Sequence, residues 1–323
     1  MSLKRNLLIA TLPLTFCLSS LAQALTLKAT DTQPEGSPAV VAVKSMGKKL
    51  ETETKGEISV QMFAGGVLGG EKEILEQVQL NAIQLTRVSL GVMGPLVPDV
   101  NAFNMPFVFR DQDHMRKVID GEIGQEILDK ITNSDFNLVA LAWMDAGSRN
   151  FYSKRPIRSL ADLQGRKMRM MENPLFLDTM NALGGSGIAM STGETFSALQ
   201  TGVIDGAENN PPIMLAQNHQ QVAKYYSETG HLIIPEPLVM SKSAWNELTP
   251  EQQVLVKRLA RETQLEQREL WDKKVAESIE KLKADGVEFI KVDKRPFYAA
   301  TTPVREKYGA PYADLIKRIE AVH

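Results

Sequence analysis

The sequence predicts an α/β fold in two halves that face each other across a cleft. Three observations carry that expectation. Strand-like and helical stretches alternate from residue 25 onward. The alternation starts afresh near residue 150, and no flexible linker separates the two series. A chain of 323 residues also has the size of two domains.

Leu25-Thr26-Leu27-Lys28-Ala29-Thr30 alternates and is rich in β formers, which makes a first strand. Ser37-Pro38 opens a helix through Leu50, with Pro38 where no amide hydrogen is needed. Residues 57–63 alternate again, with Ile58, Val60 and Met62 on one face. The glycines between 65 and 70 form a loop, and a helix begins at Glu71 and runs to about Asn81. Residues 83–89 and 137–144 read as further strands, so a largely parallel sheet is expected.

In the second series, residues 150–153, 167–170, 186–190 and 203–207 are strands, with helices near 174–183, 194–201 and 212–220. Thr249-Pro250-Glu251-Gln252 is a capping box that starts a long helix ending at Asp285-Gly286. Its apolar stripe is Leu255, Leu259, Trp271, Val275, Ile279 and Leu282. At ~1.5 Å per residue that helix is long enough to bridge two lobes.

The first 24 residues are of another kind. Lys4 and Arg5, an apolar run from Leu7 to Leu14, and Ala22-Gln23-Ala24 form the pattern of a cleaved secretory signal. The run is shorter than the ~20 residues a bilayer span needs. Cleavage after Ala24 would remove Cys17, the only cysteine, and bulky Phe16 before it argues against lipid attachment. A thiol-free exported chain has neither disulfides nor cysteine-based metal or nucleophile sites. Lys plus Arg total 37 against 39 for Asp plus Glu, a balance that argues against nucleic acid as partner.

Three helix starts recur in the second half: Asn173-Pro174, Asn210-Pro211 and Ser191-Thr192-Gly193-Glu194. Each presents free amide groups that suit an anion, and each follows a strand end, where ligands collect in α/β folds. Every helix needs a cap, so one cap alone proves nothing. Arg149 and Arg169 are the other candidates. Arg169 alternates with Met168 and Met170, so it lies either on a solvated strand face or turned toward a carboxylate, which its planar fork fits.

Gly147-Ser148-Arg149-Asn150, the run from Asp162 to Arg169 and the run from Ala198 to Asn209 resemble solute-binding proteins of TRAP (tripartite ATP-independent periplasmic) transporters, the DctP-like family. Leu68-Gly69-Gly70-Glu71 and the stretch from Asn104 to Phe109 share the likeness. The resemblance implies a two-lobed periplasmic-binding-protein-like fold with a ligand cleft. It places lobe I at 25–146 plus about 235–274, and lobe II at 147–234 plus about 275–323. It implies a periplasmic receptor, expected as a monomer, that closes over a small organic acid and hands it to membrane permease subunits, with no cofactor, metal or catalysis. In such proteins the arginine of the Lys-x-Arg strand clamps the carboxylate, which falls on Arg169; Arg149 and Asn209 match further ligand-binding positions. Where the family often carries an aromatic, this chain has Thr192.

Residues 85–89, 102–111 and 223–227 are similar to the branch that binds hexuronates. A uronate has one carboxylate for Arg169 and hydroxyls for Gln33, Glu73, Arg87, Ser89, Glu172 and Asn209. The first lobe's contacts are expected at Asp31–Gln33, Glu71–Glu73 and Arg87–Ser89. A four-carbon dicarboxylate is the alternative ligand, and a sensing role the alternative use. An exported sugar hydrolase is the distant alternative. It would need two acids ~5–9.5 Å apart, for which Glu71, Glu73, Glu172 and Glu208 are candidates. The four histidines have no metal-ligand spacing, and no Gly-x-Ser-x-Gly elbow occurs.

Overall fold

Two mixed β-sheets, each flanked by helices, form the two lobes in the computed structural model, which describes residues 24–323. The expected signal segment falls almost wholly on 1–23, outside the described residues. The strands in chain order are β1 (Leu25–Thr30), β2 (Ile58–Phe63), β3 (Leu85–Arg87), β4 (Leu138–Met144), β5 (Ser148–Ser153), β6 (Lys167–Met170), β7 (Ser186–Ala189), β8 (Gly206–Asn209), β9 (Tyr225–Ile233), β10 (Glu236–Ser241) and β11 (Glu288–Lys291). The first sheet has the order β2-β1-β3-β10-β4 and the second β11-β9-β5-β8-β6-β7.

The sheets are less parallel than the alternation predicts. β10 runs antiparallel to β3 and β4, and β5 antiparallel to β8 and β9. These two strands enter their sheets directly from the other lobe, with no helix to turn the chain back, so they run against their neighbours. The chain crosses at Asp145-Ala146-Gly147, between β4 and β5, and at Ile234-Pro235, between β9 and β10. Gly147 has φ +66°, and a Cβ there would meet the Trp271 ring at 3.1 Å, so only glycine fits the first crossing.

The helix Pro38–Glu53 buries Ala39, Val43, Met46 and Leu50 against the first sheet. The helix Pro250–Ala284 begins at the expected box, with Thr249 and Gln252 bonded reciprocally at 3.0 and 3.2 Å. It packs on Pro38–Glu53 and β4 in the first lobe and on the helix Pro211–Ala216 in the second. Its apolar stripe is interrupted. Thr263, Gln264 and Gln267 are buried at its middle, where it meets the end of β4. There Gln264 accepts from the Trp143 amide, and Gln267 bonds both the amide and the carbonyl of Asp145. A crossing strand without a β partner on that side needs polar groups, so glutamines replace leucines. The last helix, Ala313–Glu320, reaches back to the first lobe, packing on Glu122–Thr132.

Candidate ligand-binding cleft

A cavity of about 330 Å³ lies between the lobes. The first lobe contributes Thr32, the Gly65–Gly70 loop and Glu71; the second contributes Arg169, Glu172, Ser191, Thr192 and Gly193. A smaller compartment adjoins it, lined by Gln33, Arg87, Ser89, Arg149, Asn209 and Glu236, with Thr32, Glu71, Met171, Thr192 and Gln217 bordering both. The lobes approach closely around it. A Cβ on Gly70 would lie 3.6 Å from the Ser191 Cβ, and one on Gly91 would strike Met171 and Phe176 at 2.6 Å, so glycine at 91 lets the lobes touch. Asn173 spans the same contact, donating to the Gly91 carbonyl at 2.9 Å while it caps its own helix.

Three buried arginines face this space with different charge partners. Arg169, on β6, is 3% exposed. Alternation along β6 puts the Arg169 side chain on the opposite face from Met168 and Met170, where it lines the cavity. Its Nε donates to the Met190 carbonyl at 2.9 Å and one terminal nitrogen to Thr192 Oγ1 at 3.3 Å. Among the described residues no acidic side chain forms an ion pair with it, and burial pushes its pKa below the ordinary arginine value. Arg149, on β5, has a dedicated partner: Glu208 on β8 takes bonds at 2.5 and 2.9 Å, and the Glu208 carbonyl accepts at 3.1 Å. Burial opposes the charge on Arg149, but Glu208 outweighs it and the pKa rises.

Arg87 is the third, on β3. Asp31 takes two of its bonds, Glu71 pairs at 2.5 Å and Glu236 at 3.2 Å. Burial works against its charge as well, yet the three carboxylates raise its pKa well above the usual value. They crowd one another in turn. Glu236 is pushed up to about 7, by burial first and then by Glu71 and Asp31, with Arg87 opposing.

The remaining expected residues divide. Gln33 is 7% exposed and lines the smaller compartment; its backbone amide donates to Asp31 at 2.8 Å, while its side-chain amide has no hydrogen-bond partner among the described residues. Asn209 accepts from the Asn210 amide at 2.9 Å, which leaves its Nδ2 for the cleft. Glu172 borders the larger cavity. The Ser89 hydroxyl is already engaged, capping the Gly91 amide at 3.2 Å and lying 3.3 Å from the Met171 sulfur. Glu73 is exposed and lines neither compartment; Glu71, two residues earlier in the same helix, borders both. Half a helical turn separates them, which puts them on different faces. Of the three helix starts, Ser191, Thr192 and Gly193 line the larger cavity, and Asn210 lines the smaller compartment while tying its helix to the crossing by donating to the Ala146 carbonyl at 2.8 Å.

Sequence reasoning missed Glu236 and Gln217. Glu236 had a signal, since it is the lone acid in Ile233-Ile234-Pro235-Glu236-Pro237-Leu238. A charge in such a run is buried only with a partner. Gln217, at the end of a short helix, had none.

Residues 29–310 match the family described as bacterial extracellular solute-binding protein, family 7, or DctP. The chain belongs to this family. DctP receptors are periplasmic solute-binding proteins of TRAP transporters, and this one is similar over more than nine-tenths of its length to solved members. A TRAP periplasmic solute binding protein from Pseudomonas putida F1, solved with bound D-glucuronate, is 71% identical, covering 93% of this chain and 98% of that one, with a TM-score of 0.92. One from Xanthobacter autotrophicus Py2 with bound β-D-galacturonate is 40% identical over 92% of this chain and all (100%) of the other, at TM-score 0.89. The Citrobacter koseri protein has been solved with D-glucuronate bound and in an apo, open form. This DctP receptor superimposes on its D-glucuronate-bound form at TM-score 0.91, with 48% identity over 92% of this chain and 99% of that one. On the apo, open form the TM-score is 0.82, with 47% identity over 92% and 98%. The arrangement of the lobes is therefore nearer the bound form, in agreement with the Gly70–Ser191 approach.

Proposed function

We propose that this DctP receptor is exported to the periplasm, binds a hexuronate such as D-glucuronate or D-galacturonate through an Arg169–carboxylate clamp, and delivers it unaltered to the membrane permease of a TRAP transporter. One observation carries the reading: Arg169 is a buried guanidinium with no acid partner among the described residues, turned into a cavity of small-molecule size (~300–1,000 Å³ is usual). A buried charge of that kind is costly until an anion matches it. A planar carboxylate answers the fork in two parallel bonds. The sugar's hydroxyls then meet Asn209 Nδ2, Gln33 and the carboxylates of Glu71 and Glu172. The uronates bound to the Pseudomonas, Citrobacter and Xanthobacter proteins support the same chemistry.

A dicarboxylate fits less well, because Arg149 and Arg87 already hold their own acids. Closure would turn the lobes about the Asp145–Gly147 and Ile234–Pro235 crossings. Lobe I would comprise 25–146 plus about 235–274 and the last helix, and lobe II the remainder. The ligand touches both lobes only when they close, so it favours closure. Titration calorimetry with D-glucuronate, D-galacturonate and succinate tests the reading: heat is expected from a uronate. Heat from succinate alone would overturn it, and loss of the uronate on incubation with pure protein would make the chain an enzyme.

A further inference from the structure

We propose that the Asp31, Glu71 and Glu236 carboxylates around Arg87 make the cleft reject a second negative charge, so that it takes acids with one carboxylate and a hydroxyl-bearing far end and excludes diacids of the same length. This deepens the reading above, on which it rests, by naming the groups that exclude.

The charges on the two sides of the cleft are opposite in sign. Arg169 brings a positive charge without an acid, and Arg149 is balanced by Glu208. Arg87 is over-matched: its guanidinium meets Asp31, Glu71 and Glu236, and even with a proton on Glu236 two carboxylates face one cation. Asp31 is 1% exposed, Arg87 4% and Glu236 6%, so water screens this excess poorly. Glu71 borders both compartments, so the excess reaches the space where a ligand held by Arg169 must extend.

Two neutral groups in the same compartment point to what belongs there. The Gln33 amide and the Asn209 Nδ2, on residues 7% and 4% exposed, have no hydrogen-bond partner among the described residues and line the cavity. Amides and carboxylate oxygens together suit hydroxyls, which donate to the acids and accept from the amides. A second carboxylate has no proton to give and meets repulsion from Glu71 and Glu236.

The test uses two open-chain acids that differ only at the far end. Reducing C1 of the uronate that binds gives a one-carboxylate polyol acid, and oxidising it gives the diacid: L-gulonate and D-glucarate for D-glucuronate. Calorimetry on the full chain, with Glu71→Gln and Glu236→Gln alongside, reads the affinity ratio of the pair. The wild type is expected to favour gulonate at least thirtyfold. Each variant should narrow that ratio at least tenfold, through a gain for glucarate. Glucarate binding within threefold of gulonate in the wild type would overturn the proposal. So would variants that leave the ratio unchanged, including the case where neither open-chain acid binds any of the proteins. If a variant fails to fold in a thermal melt, the wild-type ratio decides. A wild type that binds no uronate sinks the parent reading instead, and that measurement is separate.

Discussion

Two buried guanidiniums on opposite sides of one cleft have been treated in opposite ways. Arg87 in the first lobe is held by three carboxylates, whereas Arg169 in the second is held by a carbonyl and a hydroxyl. Both are almost fully buried, so the difference lies in their partners and not in solvent. A cation with all its counter-charges in place is part of the scaffold. One lacking them has its free energy of burial met only when something binds. On the proposed reading, the difference separates a structural arginine from a ligand-binding one more sharply than motif position does, since both lie on short strands beside the cleft.

The strongest test removes each charge in turn and reads folding separately from binding. Arg87→Ala is expected to cost ~3–5 kcal/mol of stability in urea denaturation, because it strands Asp31, Glu71 and Glu236 without their cation. The loss should be smaller at pH 5 than at pH 8, since stranded acids can take up protons. Arg169→Ala should instead cost ~2–5 kcal/mol of uronate affinity. In the ligand-free protein it should leave the melting temperature unchanged or higher, since an unmatched buried charge has gone. Arg169→Lys should bind poorly too, because a point charge lacks the fork. Weakening of less than tenfold in Arg169→Ala, or a large drop in its melting temperature, would erase the contrast.

Two buried histidines report the same difference from inside the second lobe. His219, bonded to the Tyr152 hydroxyl at 2.7 Å, is pushed down to about 4 by burial and then by the charge of Arg169. His231 lies stacked on Phe151 at 4.2 Å and is likewise pushed down to about 4, by burial, beside the balanced Arg149–Glu208 pair. Their folded values lie below the unfolded one, near 6.5, so the unfolded chain takes up protons first as pH falls. The stability they contribute is therefore complete above about 6.5 and is lost as pH falls through about 4, up to roughly 3 kcal/mol each. Glu236 acts in the other direction, losing its contribution as pH rises from about 4.5 through about 7. The comparison predicts different responses to ligand. A bound carboxylate that matches Arg169 should raise the His219 pKa in an NMR titration and move His231 less. Equal movement of the two would count against Arg169 as the clamp.

Much of this was legible in the chain because its signals are local. The capping box at Thr249–Gln252, the Lys167–Met170 strand and the Asn173-Pro174 start all form where the sequence puts them. Crossing strands are harder to read. β9 and β10 form one nearly continuous β stretch broken only by Ile234-Pro235, and nothing local says that its two ends join different sheets. The polar middle of the long helix was hidden for the same reason, since Gln264 and Gln267 answer an unpaired strand edge far away in sequence. At the site, the resemblance pointed to arginines that the structure places beside the cleft, but not to the acids they hold. That depends on pairing across 56 residues for Arg87 and Asp31, and across 59 for Arg149 and Glu208.

The smallest expected effect concerns the hydroxyl that steers the clamp. Thr192 Oγ1 accepts from Arg169 at 3.3 Å, and Thr192 borders both compartments. Thr192→Val keeps the volume and removes the bond, so it should weaken uronate binding by ~0.5–1.5 kcal/mol, the net worth of one hydrogen bond. The Met190 carbonyl still holds Nε in that variant, so the guanidinium stays turned to the cleft and the charge is unaltered. Calorimetry should therefore show a modest change in affinity at an unchanged melting temperature. A loss as large as that of Arg169→Ala would mean that the hydroxyl contacts the ligand itself, and the clamp would then be shared between the two side chains.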